Sequence, residues 1–418
     1  MKNYCIIIPA LKGIGGAQLY AFRRAKYLID NGYNVTYCSM EYDKTYLEFD
    51  EKIKIFYNEN LNIPSFTSSG KIKELELNKF IKYFSTNKLI IESFCWLSAS
   101  WGEIYAKHTN AKHIVYSLGE PILDQFRHKY VLDFIMFKYK RNEFIAISDV
   151  SLKIILGKHF NEKINNYVNI AFDDNEVPEK TNSNFLNLID DQIQFVISTV
   201  SRLEKTYVSN LIEDVFKIAN KNKKKAFALL ICGDSLFKEF NVESFIKKYQ
   251  NHKQKPSNLT LIFSGFVHPL GKDFYKKSSV FVGMGTAAVA SISQGCPTIC
   301  IDPRVNKSIG VFGLETNNFA YNINGEYSSI EESISKLFIN NVKLKKSSEL
   351  GLKLYKSDFE NIICMKKLDN YIKLPSTIEY FNFQRKDITS IIFKNVCSIN
   401  ILLSKNRFLV KFYNLFSN

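Results

Sequence analysis

The feature that most constrains this chain is a rhythm of short apolar strands, each closed by a turn and followed by an amphipathic helix, that runs through one stretch of sequence and then restarts. Tyr4 to Pro9 reads as a buried strand, Leu11 to Gly16 as a glycine turn, and Ala17 to Asn31 as a helix ending at Gly32. Asn34 to Ser39, Lys88 to Ser93, His113 to Ser117 and Phe144 to Ile147 read as further strands, and Ser148 supplies a hydroxyl cap for the helix after the last of them. From Asp173 to Asp191 the composition turns polar and acidic, as expected of a linker. Beyond it Gln194 to Val200, Ala226 to Cys232, Leu259 to Ser264, Ser279 to Val282 and Thr298 to Asp302 repeat the strand pattern, with helices at Val208 to Ala219 and Gly285 to Gln294. Strands alternating with helices of this length predict an α/β fold of two doubly wound parallel sheets.

Length agrees, because 418 residues exceed one ordinary core and fit two domains. The expected division is a first Rossmann-like domain over 1–172, a second over 173–372, and a basic, partly apolar helical tail over 373–418. Hydrophobic residues at 46% and charged residues at 23% are globular values. A net charge of +15 calls for an anionic partner: nucleic acid, an acidic membrane face or a phosphorylated substrate. Nucleic acid ranks last, since the eight arginines are scattered and no zinc-finger, RNP or basic-zipper pattern occurs. Eight cysteines without metal spacing, several inside apolar strands, read as free thiols of a reducing compartment, which places the protein in the cytosol. The segment from Arg385 to Asn418 mixes Ile, Leu and Phe with lysines, as an interfacial basic helix does, and a helix packed on the protein body fits it equally.

The chemistry concentrates after Val200. Arg202 and Lys205 follow an apolar strand directly, and ligands of a parallel sheet bind outside the carboxyl ends of its strands. Two cations there suit a diphosphate, and arginine adds a planar fork that lysine lacks. A surface charge pair is the competing reading. Gly283-Met284-Gly285-Thr286 offers glycines, a hydroxyl and a helix start that could cradle a distal phosphate. Gly13, Gly15 and Gly16 make a similar turn in the first half, open equally to ligand approach and to a tight structural turn. Their spacing is not Gly-x-Gly-x-x-Gly, so a nicotinamide cofactor is unsupported. None of the six histidines has a spacing suited to a metal site or a Ser-His-Asp arrangement, and no Asp-x-Asp motif occurs, so neither a metal nor any other cofactor is expected.

In this order the motifs resemble family 4 (group 1) glycosyltransferases of the two-domain GT-B fold, over about residues 1 to 370. Gly15-Gly16-Ala17-Gln18 resembles the N-terminal glycine turn, Ile147-Ser148 the strand-then-serine element, and Val168-Asn169 the asparagine before the linker. Arg202-Leu203-Glu204-Lys205 is similar to the diphosphate clamp, shortened by two residues. Leu230 to Asp234, with Gly233 and Asp234, resembles the Gly-Asp-Gly strand end, and Gly265-Phe266-Val267 the base-binding loop. The resemblance implies a hexosyltransferase that moves a sugar, with retention, from a nucleotide-diphosphate donor to a glycan or lipid-linked acceptor in bacterial surface polysaccharide assembly. It implies donor contacts from Gly15, Gly16, Gly233, Asp234, Gly265, Phe266, Val267, Gly283, Gly285 and Thr286, with catalysis by Arg202 and Lys205 and no metal.

The departures are specific. Where the family has a ribose-binding Glu, five residues before Gly295, this chain has Ala290, and Val282 stands at the first hallmark glutamate. Where many members place a His after the third strand, the chain reads Ser117-Leu118-Gly119-Glu120. Glu120 is the one acid or base at that strand end, a third candidate catalytic residue contacting an acceptor or donor hydroxyl, or else a turn carboxylate before Pro121. Two other functions stay open: a noncatalytic member that binds sugar or partners, favoured by Ala290, and a nucleotide-sugar epimerase, disfavoured by the missing acid and His.

Overall fold

A computed structural model of the chain describes residues 2–11, 15–42, 51–84, 88–118, 129–235, 237–374 and 379–383. The chain divides into two compact units, Met1–Val168 with Lys367–Asn418, and Asn169–Lys366.

In the first unit the strands are β1 (Lys2–Ile7), β2 (Ala10–Leu11), β3 (Tyr33–Ser39), β4 (Glu41–Tyr42), β5 (Lys54–Tyr57), β6 (Leu89–Ser93), β7 (Lys112–Ser117) and β8 (Phe144–Ala146). Six of them form one parallel sheet in the order β5-β3-β1-β6-β7-β8, while β2 and β4 pair separately. Tyr4 to Ile7 are all fully buried, as a parallel strand covered on both faces must be. The helices are α1 (Gly16–Asp30), α2 (Gly70–Tyr83), α3 (Trp96–Thr109), α4 (Lys129–Lys140) and α5 (Asp149–Leu156). The expected stop at Gly32 is present, at φ 79°, a conformation costly for any residue with a Cβ. The Ser148 hydroxyl accepts a hydrogen bond from the Ser151 amide at 3.0 Å and caps α5 as expected.

The second unit has β9 (Phe195–Val200), β10 (Phe227–Cys232), β11 (Leu259–Gly265), β12 (Val280–Gly283), β13 (Thr298–Asp302) and β14 (Lys307–Val311). Their order is β11-β10-β9-β12-β13-β14, parallel except for the antiparallel β14. Its helices are α6 (Thr206–Lys221), α7 (Val242–Tyr249), α8 (Lys272–Lys277), α9 (Gly285–Ser293), α10 (Ile330–Phe338) and α11 (Asn341–Leu354), and α12 (Asn361–Lys373) runs on into the first unit. Tyr207, Val208, Leu211, Ile212 and Val215 of α6 join the strand residues Ile197, Leu229 and Val280 in one apolar core. Both sheets thus start at the centre, wind to one edge and return to the other side. The winding reverses between β1 and β6 and between β9 and β12, and such switch points open crevices at the carboxyl edge.

The residues read as a linker pack on the second unit. The Thr181 amide and hydroxyl donate to Asp273 at 2.9 and 2.7 Å, Phe185 meets Phe274 edge-on, and Leu186 is buried. At the other end, the contact division gives Lys367 onward to the first unit, so α12 spans a boundary that the sequence places at 372/373. Of the expected tail, 373–374 and 379–383 are described, and the latter dock as an aromatic strap. Phe383 stacks on Phe66 at 5.3 Å and lies 5.1 Å from Phe134, and the Phe381 amide donates to Glu103 at 2.7 Å. Residues 384–418 lie outside the described residues. Among those described, no helix is long and apolar enough to cross a membrane.

Candidate functional site

At the carboxyl edge of the second sheet four strand ends deliver the residues singled out by the sequence. After β9 the Ser201 amide donates to Cys232 O at 3.0 Å and the Leu203 amide to Asp234 O at 3.3 Å, while Leu203 sinks into the core. This anchoring carries Lys205 to the N-cap of α6, whose first turn has no acidic residue. Two cations at a helix start oppose the macrodipole, and an anion bound there would reverse the sign of both interactions. Lys205 Nζ lies 3.4 Å from Met284 Sδ, which brings the β9 loop against the Gly283-Met284-Gly285 turn at the switch point. Met284 is the N-cap of α9 and gives it no side-chain cap.

The glycines act differently. Gly233 has φ 140°, and a Cβ there would lie 1.9 Å from Ser201 O, so only glycine lets the ends of β9 and β10 approach this closely. Its amide donates to Gly265 O at 2.8 Å and ties in β11. Gly285 has φ 62° and open space around it, and its amide donates to Phe319 O at 2.9 Å, so a phosphate would have to use the amides that follow, including that of the half-buried Thr286. At Gly283 a Cβ would strike the Phe281 ring at 2.7 Å.

Arg202 does not enter the turn. Its side chain is 69% exposed and its Nη1 pairs with Glu204 Oε1 at 3.3 Å, while Glu204 Oε2 is buried and accepts no hydrogen bond. Asp234 is engaged locally: its Oδ1 accepts from the Ser235 amide at 2.8 Å and the Val242 amide at 3.1 Å, pinning the loop from β10 to α7. That loop presents Phe237, 45% exposed, and the adjacent strand end presents Phe266, 53% exposed, followed in the chain by the half-buried Val267. Sequence reasoning missed Phe237; an aromatic three residues after a Gly-Asp strand end was the available signal. Two exposed rings on neighbouring loops can stack a planar heterocycle.

Val282 belongs to the apolar core and Ala290 is buried in α9, so neither hallmark position carries a carboxylate. One strand over, buried Asp302 accepts from Arg304 Nε at 2.9 Å, Asn322 N at 3.1 Å and Tyr327 OH at 3.0 Å. Burial pushes this carboxyl up, but Arg304 and the backbone amides outweigh it and hold it below the usual range. This network braces the sheet edge and went unread in the sequence.

In the first unit Gly15 is the N-cap of α1 and Gly16 its first residue, at the carboxyl side of β1; the Gln18 side chain folds back to Ala10 O at 3.2 Å. Gly13 and Glu120 lie outside the described residues. One histidine assembly carries no signal in the spacing along the chain. Ser93 Oγ lies 2.9 Å from His113 Nε2, and His113 Nδ1 lies 2.7 Å from Glu103 Oε2, a Ser-His-Glu line assembled by β6, β7 and α3. Gly102 makes room for it, since a Cβ there would stand 2.5 Å from both Ser93 Oγ and His113 Nε2. All three residues are fully buried and Lys138 pairs with Glu103 at 2.6 Å, so this is an internal polar brace rather than a nucleophile open to substrate. Among the described residues no group of three or more His, Cys, Asp or Glu could hold a metal ion.

No protein-family model and no curated protein matches the sequence. Solved structures do match. HepE of Anabaena in complex with UDP superposes with a TM-score of 0.62 at 15% identity, over 89% of this chain and 99% of that one. A glycosyltransferase from Rickettsia africae gives 0.63 at 14%, over 90% and 99%. Sucrose-phosphate synthase from Thermosynechococcus elongatus gives 0.60 at 13%, over 90% and 99%. Identity at this level speaks for architecture, and the architecture is the GT-B fold of two Rossmann-like parallel-sheet units.

Proposed function

We propose that this chain is a bacterial glycosyltransferase, cytosolic or peripheral on the inner face of the cytoplasmic membrane, that moves a hexose from a nucleoside-diphosphate sugar to a glycan or lipid-linked acceptor during surface polysaccharide assembly, with retention and without a metal. The observation that carries the reading is the meeting of Lys205 with the Gly283–Gly285 turn at the switch point of the second sheet. The solved complexes of HepE with UDP and with UDP-glucose support a nucleotide donor. In the reaction the bond from the anomeric carbon to the β-phosphate oxygen breaks, a bond to the acceptor oxygen forms, and the proton of the acceptor hydroxyl passes to the departing diphosphate oxygen. Charge gathers on the leaving diphosphate, where Lys205, Arg202 swung from Glu204, and the amides opening α6 and α9 would stabilise it. Gly233 and Gly265 shape the edge, and Phe266 with Phe237 would take the base. Titration calorimetry of the purified chain against nucleoside diphosphates and UDP-sugars, followed by an assay for slow release of UDP, tests the proposal; the absence of any nucleotide binding refutes it.

A second reading is a noncatalytic GT-B protein that binds a nucleotide or sugar through the same edge. Val282 and Ala290 favour it, because no carboxylate of α9 reaches the ligand. Tight nucleotide binding with no release of diphosphate from any donor decides for it.

A further inference from the structure

We infer that the corner between α10 and α11 is a docking surface for an anionic lipid bilayer, built from residues that no part of the donor-site reading uses. Ile339 and Val342 are 78% and 79% exposed, more than any other large apolar residue described. They stand on either side of the Asn340 N-cap, whose side chain accepts from the Lys343 amide at 2.9 Å and fixes the turn that displays them. A shallow groove lined by Leu314, Glu315, Asn340, Val342, Lys343 and Lys346 adjoins the pair. A capped turn holds these two neighbouring aliphatic side chains in water, an exposed apolar pair of the kind that marks a contact.

Charge selects the occupant. Lys343, Lys345 and Lys346 follow Val342 directly, and the acids nearby are mostly neutralised: Glu315 by Lys343 at 2.6 Å and Glu332 by Lys336 at 2.8 Å, with Glu349 one turn further along α11. Lys345 and Lys346 are exposed. Aliphatic side chains that enter the headgroup layer beside lysines that stay with the phosphates are the chemistry of interfacial binding to anionic lipid, and a chain of net charge +15 is drawn to the same surface.

The experiment uses the full chain. Val342→Trp, at an exposed site that packing does not constrain, should shift its emission to the blue and be quenched by brominated lipid on vesicles of phosphatidylglycerol and phosphatidylcholine, and do neither on phosphatidylcholine alone. Ile339→Asp with Val342→Asp should lower sedimentation with the anionic vesicles by about 10-fold, and Lys345→Glu with Lys346→Glu should abolish the preference for anionic lipid. Tryptophan emission unchanged by anionic vesicles, or sedimentation of the aspartate variant equal to wild type, overturns the proposal. So does a wild-type dimer that the aspartate variant converts to monomer without any vesicle binding, which would make a second copy the occupant.

Discussion

Arg202 and Lys205 carry the strongest claim on single side chains, and they differ. Lys205 is already at the Gly283–Gly285 turn, whereas Arg202 is exposed and paired with Glu204. If both neutralise the leaving diphosphate, their effect falls on the chemical step, because the charge they meet grows as the bond breaks. Lys205→Ala and Arg202→Ala should each cut turnover by about 100-fold or more, and Arg202→Lys nearly as far through loss of the fork. Arg202 is exposed and Lys205 lies half-buried at a loop, so each adds little to folding and thermal midpoints should stay close to wild type. A doubly substituted chain with undiminished transfer sinks the assignment. Ala290 gives a second expectation at this scale. A hydrogen bond from a ribose hydroxyl to a carboxylate is worth about 1.5–3 kcal/mol, and without that carboxylate ribose and deoxyribose diphosphates should bind nearly alike by calorimetry. That Arg202 and Lys205 follow a strand end and precede a helix was legible in sequence. The pairing of Arg202 with Glu204 was not, since adjacency along the chain says nothing of rotamer.

Loops and strands carry expectations of their own. The loop from β10 to α7 is held by Asp234, so Asp234→Ala should lower stability by about 1 kcal/mol, as loss of a cap does. Phe237→Ala should leave stability unchanged and weaken nucleoside diphosphate binding by the about 1–3 kcal/mol typical of one stacked base, while pyrophosphate affinity holds. Equal losses for both ligands would remove Phe237 from the site. The brace in the first sheet predicts a pH response. Burial would raise the Glu103 carboxyl, but Lys138 and His113 bring it down to about 2, while burial first and Lys138 second lower His113. A depressed carboxylate stabilises above its unfolded pKa and loses that contribution as pH falls toward the folded value; a depressed histidine is destabilised once the unfolded state takes up its proton. Both signs run the same way, so stability should fall below about pH 6.5 and again below about pH 4.5. His113→Gln should flatten the upper step in denaturant titrations; a wild-type curve level from neutral pH down through both steps contradicts this. Strands and helices were readable because their apolar period is local. The Ser93, His113 and Glu103 line was not, because β6, β7 and α3 bring together side chains whose separations along the chain carry no motif.

For the whole molecule the open question is what the basic C-terminal segment does, and the strap at 379–383 divides it into two testable parts. Phe381 and Phe383 pack on Phe66, Phe134 and Phe137, and Tyr380 OH donates to Ala111 O at 3.1 Å, so this stretch belongs to the first unit's fold. Ending the chain after Leu374 removes that packing along with the basic residues, and loss of two half-buried aromatic side chains should cost about 2 kcal/mol. Ending it after Phe383 keeps the strap and removes only Gln384 to Asn418, with Lys394, Lys405, Arg407 and Lys411. If the removed segment is an interfacial helix, the longer truncate should keep wild-type stability and sediment measurably less with anionic vesicles at low salt, the binding that stays being that of Ile339 and Val342. If the segment packs on the protein body, the same truncate should lose stability and bind vesicles as before. The two outcomes move in opposite directions, so one pair of measurements on one truncate separates a membrane anchor from a packed helix.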